Sequence, residues 1–237
     1  MFSAIYGSFS SILLLFIIIN PCQSINLSTK SCIVFFTGGS NYMPITIYRD
    51  FLSHINSHHH IVKIPFKTSN KEYSNIIDDL DDKYDTITYL AHSSGTTTAL
   101  NMLSPHVDRL ILLDPVATPN LRYSAINIEK HAILDKLKSL TIINADLSYK
   151  WSGAPPFIPF IPVLKLNHQL LDIDNKKISI ITINGYGHSD LIDNPFRDLM
   201  HYSGISRGIK DRNEIKHYHK NMAKYIEYSI DNNYLSL

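Results

Sequence analysis

The sequence predicts an α/β protein in which a mostly parallel central sheet of about six strands carries helices on both faces. Six short runs are rich in apolar residues, and the first of them, residues 32–36, is apolar with no polar alternation, which is the pattern of a strand buried on both sides of a parallel sheet. Segments with apolar residues at helical spacing lie between most of these runs, so strands and helices alternate along the chain. The predicted strands cover residues 32–36, 61–66, 87–91, 107–116, 141–145 and 177–184.

Helices are predicted where apolar residues recur every three or four positions. Pro44 begins the first helix, because proline is favoured in a first helical turn. The apolar positions are Ile45, Tyr48, Phe51, Leu52 and Ile55 in the first helix; Tyr73, Ile76, Ile77 and Leu80 in the second; Ala99, Leu100 and Leu103 in the third; Ile128, Ala132, Leu134, Leu137 and Leu140 in a helix over 126–140; and Ile215, Tyr218, Met222, Tyr225, Ile226 and Ile230 in a helix over 214–230.

Three polar stretches are predicted to be solvated. Residues 58–60 are three consecutive histidines, and neighbouring residues cannot point the same way on a strand or helix, so we expect a loop rather than a metal site. The acidic run 78–82 is expected to be an exposed helix face. His217 and His219 are placed on the polar side of the last helix.

Length and charge limit the class of protein. The chain has 237 residues, of which 44% are hydrophobic and 18% are charged, so one sizeable core and a single domain over 25–237 are expected. The net charge is +1, and the basic residues are scattered along the sequence. We therefore expect neither nucleic acid nor an anionic membrane surface as a partner.

Residues 1–24 have the pattern of a secretory signal peptide. An apolar run over 11–19 is too short to span a bilayer, and Cys22 and Ser24 are small residues at the positions that signal peptidase inspects. The first ten residues contain no Lys or Arg, which leaves an uncleaved anchor as the alternative. Asn26 begins a glycosylation sequon just past the expected cleavage point. The mature protein is expected to be secreted, with no stable membrane span.

The two cysteines do not predict a disulfide framework. Cys22 would leave with the signal peptide, and Cys32 would remain alone at the start of the first strand. We expect Cys32 to be a small, buried hydrophobic residue. The stability of the protein must then come from a large core.

The segment 86–103 carries the strongest motif of the sequence. An apolar run ends at Ala91, continues into His92-Ser93-Ser94-Gly95 and passes directly into a helical pattern. In the nucleophile elbow of α/β-hydrolases, a serine occupies a strained strand-to-helix turn with small residues two positions before and after it. Ala91 and Gly95 fill those positions, so we predict an α/β-hydrolase fold with Ser93 as its nucleophile. The alternative is an ordinary turn in which serine caps the helix.

Glycines directly after the first strand predict an oxyanion-binding loop. Thr37-Gly38-Gly39 follows the run 32–36, and glycine lets the backbone turn sharply and direct N–H groups at a ligand. In this fold the loop after an early strand supplies one oxyanion N–H, and the residue after the nucleophile supplies the other. We assign these roles to Gly39 and Ser94, with Gly38 shaping the turn. A plain tight turn is the alternative.

The catalytic acid and base are expected beyond the carboxyl ends of later strands, where ligand sites of open parallel sheets lie. Asp114 stands at the end of the strand over 107–116, and Asp146 directly follows the strand over 141–145, so both are candidates for the acid. His188 follows the last predicted strand and is flanked by Gly187. A triad in the chain order Ser, Asp, His places its base at this point.

Residues 151–163 are apolar but contain four prolines, so they can form neither a helix nor a central strand. An irregular segment between two late strands would lie over the crevice at the strand ends. We expect a lid-like insertion over 151–166 that forms a wall for a lipophilic substrate. Simple packing onto the core is the alternative.

Several motifs together resemble the chlorophyllase-like branch of the α/β-hydrolases, from about Cys32 to the C-terminus. The resemblance implies hydrolysis of a lipophilic carboxylic ester, in that family the phytyl ester of chlorophyll, without a metal or an organic cofactor. It also implies that Asp114 is the catalytic acid. The motifs are His92-Ser93-Ser94-Gly95, Leu113-Asp114-Pro115-Val116, Asn167-His168 after the Pro-rich loop, and Gly187-His188-Ser189-Asp190-Leu191-Ile192-Asp193.

The hypothesis from the sequence is a serine esterase or lipase. Ser93 attacks the ester carbonyl, His188 takes its proton, and Asp114 orients His188. N–H groups of Gly39 and Ser94 hold the oxyanion. The partner is a small lipophilic ester, with no metal. A secreted noncatalytic binding protein of the same fold, and a peptidase or acyltransferase with the same triad, stay open as alternatives.

Overall fold

The structure of the protein is a computed structural model that describes residues 30–39, 41–55, 59–64, 70–116, 133–149, 177–202, 206–209 and 211–231. The strands of this part are β1 (Ser31–Phe36), β2 (His59–Lys63), β3 (Thr86–His92), β4 (Arg109–Leu113), β5 (Ser139–Ala145) and β6 (Ile178–Ile183). They form one sheet in the order β2-β1-β3-β4-β5-β6, in which every neighbouring pair is parallel. The strand order reverses between β1 and β3, and open sheets of this kind bind ligands at the carboxyl ends beside such a reversal.

Helices connect the strands and cover the sheet. The α-helices of the described part include α1 (Arg49–Ser53), α2 (Asn70–Asp81), α3 (Gly95–Asn101), α4 (Phe196–Tyr202) and α5 (Arg212–Asp231), and 3-10 helices cover Ile45–Tyr48 and Asp146–Tyr149. Among these described helices, none combines the length and the apolar character needed to cross a bilayer.

Two hydrophobic clusters lie on opposite faces of the sheet. Along β1, Cys32, Val34 and Phe36 pack into the cluster that includes residues of α2 and α3. Ile33 and Phe35 point the other way, into the cluster that includes residues of α1 and α5. Because both faces are covered, all six residues of β1 are buried, and β4 is buried throughout as well. The predicted fold class is confirmed.

Cys32 lies within the first of these clusters. Its side chain is free and fully buried, as expected for a small hydrophobic residue. Burial raises the pKa of the Cys32 thiol to about 12. The thiol is therefore protonated at neutral pH and makes a poor nucleophile.

The edge strands differ from the predictions. β2 begins at His59 rather than at 61, so His59 and His60 belong to a strand and the solvated loop predicted there is wrong. The parallel ladder with β1 already begins at the pair Ser31 and His59, and the exposed ring of His60 stacks on Tyr84 at 5.6 Å. An edge strand needs backbone pairing on one side only, so polar residues can extend it.

β6 was predicted as a buried strand, and this is also wrong. It pairs with β5, and three of its six residues are exposed, including Ile180 at 44%. Leu140 was placed in a helix over 126–140, whereas it lies in β5 and pairs with Ile178. A buried leucine fits a helical or an extended pattern equally well when the apolar run is short.

The last helix buries a residue that was predicted to be solvated. His219 is 1% exposed, because it lies four residues after Ile215 and three before Met222, on the same stripe of α5. Tyr225, predicted to point inward, lies at the border of that stripe and is 42% exposed. His217 and the acidic residues within 78–82 are exposed, as predicted.

Several predicted segments lie outside the described residues. They are the signal peptide over 1–24 with Cys22, the sequon at Asn26, His58, the first part of the helix over 126–140, the Pro-rich insertion over 151–166 and the Asn167-His168 motif.

Candidate active site

The strand-to-helix turn after β3 has the geometry of a nucleophile elbow. Ser93 follows the last residue of β3 and has φ 57, a left-handed conformation that is unfavourable for a residue with a side chain. Its N–H donates to the carbonyl of Leu113 at 3.1 Å, and its own carbonyl accepts the N–H of Val116 at 3.1 Å. The end of β4 therefore holds the turn, while Ser93 itself is only half-buried.

The small residues around Ser93 are required by a close approach of backbones. A Cβ at Gly95 would lie 2.6 Å from the carbonyl oxygen of Phe36, which is closer than real Cβ atoms come. Gly95 is the first residue of α3, so this helix starts directly against the end of β1. Ala91 pairs with Phe36 in the sheet and is fully buried.

An imidazole connects Ser93 to a carboxylate. His188 Nε2 lies 2.7 Å from Ser93 Oγ, and His188 Nδ1 is hydrogen-bonded to Asp114 Oδ2. Both His188 and Asp114 are 3% exposed. The carboxylate can only accept a hydrogen bond, so Nδ1 carries the hydrogen, and in neutral His188 Nε2 is then the acceptor for the Ser93 hydroxyl.

Asp114 is fixed by backbone and side-chain donors. It has φ 44, and its N–H donates to Ile143 of β5 at 2.7 Å. Its Oδ1 accepts the N–H of Ala145 at 3.0 Å, and its Oδ2 accepts the hydroxyl of Ser148 at 2.7 Å. Ser148 could not be predicted from the sequence, because a single serine one turn beyond a strand carries no recognisable motif.

Asp146, the other candidate for the acid, supports the loop that carries the histidine. Its Oδ1 accepts the N–H groups of Gly185 and Tyr186 at 2.6 and 3.2 Å. These bonds join the end of β5 to the loop after β6. The two aspartates therefore have different surroundings, with Asp114 hydrogen-bonded to the imidazole of His188.

The glycine loop after β1 passes beside the nucleophile. A Cβ placed on Gly38 would lie 3.5 Å from Ser93 Cβ, and Gly39 adopts φ 61 in the following turn. The N–H of Gly38 donates to Tyr48 Oη at 3.0 Å. Ser94, which directly follows Ser93, is half-buried. The structure thus brings Gly38, Ser93 and Ser94 to the same edge of the sheet, with Gly39 next along the chain.

Buried polar contacts hold the loop that carries His188. The carboxylate of Asp190 accepts the N–H groups of Gly187 and Ile209 at 2.7 and 3.0 Å, and Asp190 is fully buried. His219 of α5 donates from Nε2 to the carbonyl of Asp190 at 2.7 Å. His219 is predicted to be solvated because it is polar, although its spacing from Ile215 and Met222 indicates the buried side of the helix.

Asp50, Asp193 and His219 are the cluster of described residues whose ligand atoms, all within 4.8 Å, could hold a metal ion. His219 Nδ1 contacts Asp50 Oδ2 at 2.8 Å, and its Nε2 contacts the carbonyl of Asp190. Protein groups therefore engage both ring nitrogens of His219 in this structure. Burial raises the pKa of Asp193, whose carboxylate accepts the N–H of Asp50 at 3.1 Å. The cluster links α1, α5 and the loop that follows His188 by hydrogen bonds.

Structural comparison places the chain among α/β-hydrolase folds. An esterase domain from Rhodothermus marinus matches with TM-score 0.51 and 8% identity, covering 86% of this chain and 89% of that domain. The SrfTE thioesterase domain, which cyclises surfactin, has TM-score 0.48 and 12% identity over 86% and 92% of the two chains. Monoglyceride lipase from Saccharomyces cerevisiae has TM-score 0.45 and 8% identity over 84% and 87%. No protein-family model and no curated protein matches the sequence.

At these identities the similarity defines the fold alone. The Rhodothermus esterase domain, with a TM-score above 0.5, is the match that supports the fold assignment. Together with the six-stranded parallel sheet, it identifies the α/β-hydrolase fold that the sequence predicts.

Two glycines near His188 give a test of the loop geometry. Gly185 has φ 84, and nothing lies within 4 Å of the position that a Cβ would take. Gly185→Ala is therefore expected to lower the free energy of unfolding by only about 1 to 2 kcal/mol, because alanine is strained in the left-handed conformation. A Cβ at Gly187 would overlap the carbonyl of Arg207 and lie 2.8 Å from Gly208 Cα, so the backbone must move. We expect Gly187→Ala to lower the free energy of unfolding by about 3 kcal/mol or more. Urea unfolding of both variants measures the difference, and equal losses would contradict the described loop.

Proposed function

We propose that the protein is a serine hydrolase that cleaves carboxylic esters through an acyl-enzyme intermediate. One observation carries the proposal: Ser93 Oγ, at the strained turn, is 2.7 Å from His188 Nε2, and His188 Nδ1 is hydrogen-bonded to the buried Asp114. This is the arrangement of nucleophile, base and orienting acid that activates a serine. An ordinary serine helix cap has no need of such a chain.

In the proposed reaction, Ser93 Oγ attacks the ester carbonyl carbon while His188 Nε2 accepts the hydroxyl proton. The imidazolium that forms is stabilised by the carboxylate of Asp114, which remains ionised. His188 then gives the proton to the departing alkoxide, and an alcohol leaves. A water molecule, deprotonated by His188, attacks the acyl group and restores Ser93 with release of the carboxylic acid.

The N–H groups of Gly39 and Ser94 are proposed to hold the oxyanion of each tetrahedral intermediate. The loop of Gly38 and Gly39 passes beside Ser93, and the residue after the nucleophile is the usual second donor in this fold. Each such donor contributes about 2.7 to 4 kcal/mol to the transition state in a well-studied protease.

We propose a lipophilic ester as the substrate, as the chlorophyllase-like resemblance implies. The apolar segment over 151–166, outside the described residues, would form a wall of the crevice. The match to an esterase domain supports the reaction class. We also propose that the protein is secreted, on the apolar run over 11–19.

The acid assignment predicts that two aspartates respond differently to the same substitution. Asp114→Asn should lower kcat by about 10⁴-fold, because the amide favours the wrong tautomer of His188. Asp146→Asn should stay within about tenfold of the wild type, since its side chain contacts main-chain N–H groups of the loop. Ser93→Ala should lower kcat by about 10⁶-fold. Hydrolysis of p-nitrophenyl butyrate, with circular dichroism of each variant, measures these effects, and full activity in folded Asp114→Asn would refute the assignment.

The substrate proposal predicts a chain-length preference. An apolar wall gains about 0.8 kcal/mol for each methylene that it buries, so kcat/KM should rise several-fold for each added methylene until the site is filled. A series of p-nitrophenyl esters from acetate to palmitate, assayed below their micelle concentrations, measures the trend. Turnover of acetate alone would count against a lipophilic substrate.

A further inference from the structure

The residue before the nucleophile is a buried histidine that the proposed mechanism does not use. His92 ends β3 and is 1% exposed. Its Nε2 lies 3.0 Å from the carbonyl oxygen of His188, and its Nδ1 lies 2.9 Å from Tyr48 Oη. Tyr48 Oη also accepts the N–H of Gly38 at 3.0 Å.

The acceptors in this network fix the direction of its hydrogen bonds. A carbonyl oxygen can only accept, so His92 Nε2 carries hydrogen and donates to His188. In the neutral ring, Nδ1 is then an acceptor, and it receives the hydroxyl hydrogen of Tyr48. Tyr48 Oη keeps a lone pair for the N–H of Gly38. The order is therefore Gly38 N–H to Tyr48 Oη, Tyr48 O–H to His92 Nδ1, and His92 Nε2–H to the His188 carbonyl.

We call this chain of hydrogen bonds, from Gly38 through Tyr48 and His92 to His188, the relay, and its side chains are buried. Tyr48 is fully buried, and burial raises the pKa of its phenol, which keeps the hydroxyl hydrogen available for donation. The rings pack edge to face, with the centroids of Tyr48 and His92 5.5 Å apart. The centroids of His92 and His188 are 5.0 Å apart. A hydrogen bond in such surroundings is stronger than in water, and breaking one leaves a buried group unsatisfied.

The relay joins the two parts of the site that must be placed independently around Ser93. One end is the glycine loop proposed to bind the oxyanion, and the other is the main chain of the base. We propose that His92 and Tyr48 are positioning residues of the proposed hydrolase. They set the distance from His188 to Ser93 and the orientation of the Gly38 loop together, without contacting the substrate. This inference rests on the proposed function.

A matched pair of tyrosines separates positioning from simple stabilisation. Tyr48→Phe removes one buried hydroxyl and leaves Gly38 N–H and His92 Nδ1 without this partner. Tyr89→Phe removes the hydroxyl of another fully buried tyrosine, which donates to the Met102 carbonyl at 3.3 Å, on the opposite face of the sheet. Both variants should melt at a slightly lower temperature.

The kinetic results of this pair should differ. Tyr48→Phe should lower kcat for p-nitrophenyl butyrate at least about tenfold with little change in KM, because the oxyanion loop acts mainly in the transition state. Tyr89→Phe should keep the wild-type kcat. If Tyr48→Phe also keeps it at a comparable loss of stability, the hydroxyl is merely structural and the proposal is overturned.

Two substitutions of His92 test the other end of the relay. His92→Leu removes the donor to the His188 carbonyl, and a misplaced base should lower kcat about 100-fold. His92→Gln keeps an N–H donor at the position of Nε2, so it should recover much of that loss. Equal activity of the two folded variants would contradict the role of this hydrogen bond.

The proposed function and the relay are tested by separate measurements. Hydrolysis by the wild type tests the function, whereas ¹⁵N NMR of the histidine rings tests the relay without any substrate. The relay requires His92 to carry its hydrogen on Nε2, and the Nδ1–H tautomer would overturn it whether or not the protein hydrolyses esters.

Discussion

The site depends on the close approach of the start of α3 to the end of β1. At that contact Gly95 has no room for a side chain, because a Cβ would lie 2.6 Å from the carbonyl oxygen of Phe36. The chain between β3 and α3 must therefore turn within two residues, and Ser93 takes the left-handed conformation that this requires. Such strain costs about 1 to 3 kcal/mol, and it persists only where the surrounding structure is firmly held. Here the completely buried strands β1 and β4 flank the turn on either side of β3.

The chemical groups come from different strand ends, so their geometry depends on how the sheet aligns them. Ser93 follows β3, Asp114 follows β4, and His188 lies in the loop after β6. The parallel register brings these ends to one edge, but the loop of His188 needs further restraint. Asp146, Asp190 and the buried histidines His92 and His219 supply it through hydrogen bonds to the loop backbone. Buried polar groups thus hold the loop of the base from several sides.

Much of the fold could be predicted because a strand that is buried on both faces of the sheet is apolar at nearly every position. The run over 32–36 is apolar at every position, and the structure buries each of them on one face or the other. The chain order Ser, Asp, His pointed to Ser93 and His188 but left Asp114 and Asp146 both open as the acid, and in the structure His188 is hydrogen-bonded to Asp114 and Ser93.

The remaining features depend on contacts that local patterns do not encode. His59 lies in β2 because a neighbouring strand pairs with it, and Leu140 is buried in a strand where a helix would have buried it equally well. His219 was assigned to solvent because it is polar, whereas Tyr48 was predicted only as an apolar position and Ser148 was not singled out, so their hydrogen bonds were missed. The hydrogen-bond partner of each side chain is distant in sequence, so the spacing of residues along the chain does not identify that partner.

The central claim is that Ser93 is a nucleophile activated by His188, and covalent labelling tests it most directly. A fluorophosphonate reacts with a serine only when a base has activated it, and intact-protein and peptide mass spectrometry locate the adduct. The account predicts one adduct, on Ser93, absent from Ser93→Ala and formed at least about 10³-fold more slowly in folded His188→Ala. An adduct on another serine, or equal labelling of the wild type and His188→Ala, would contradict it.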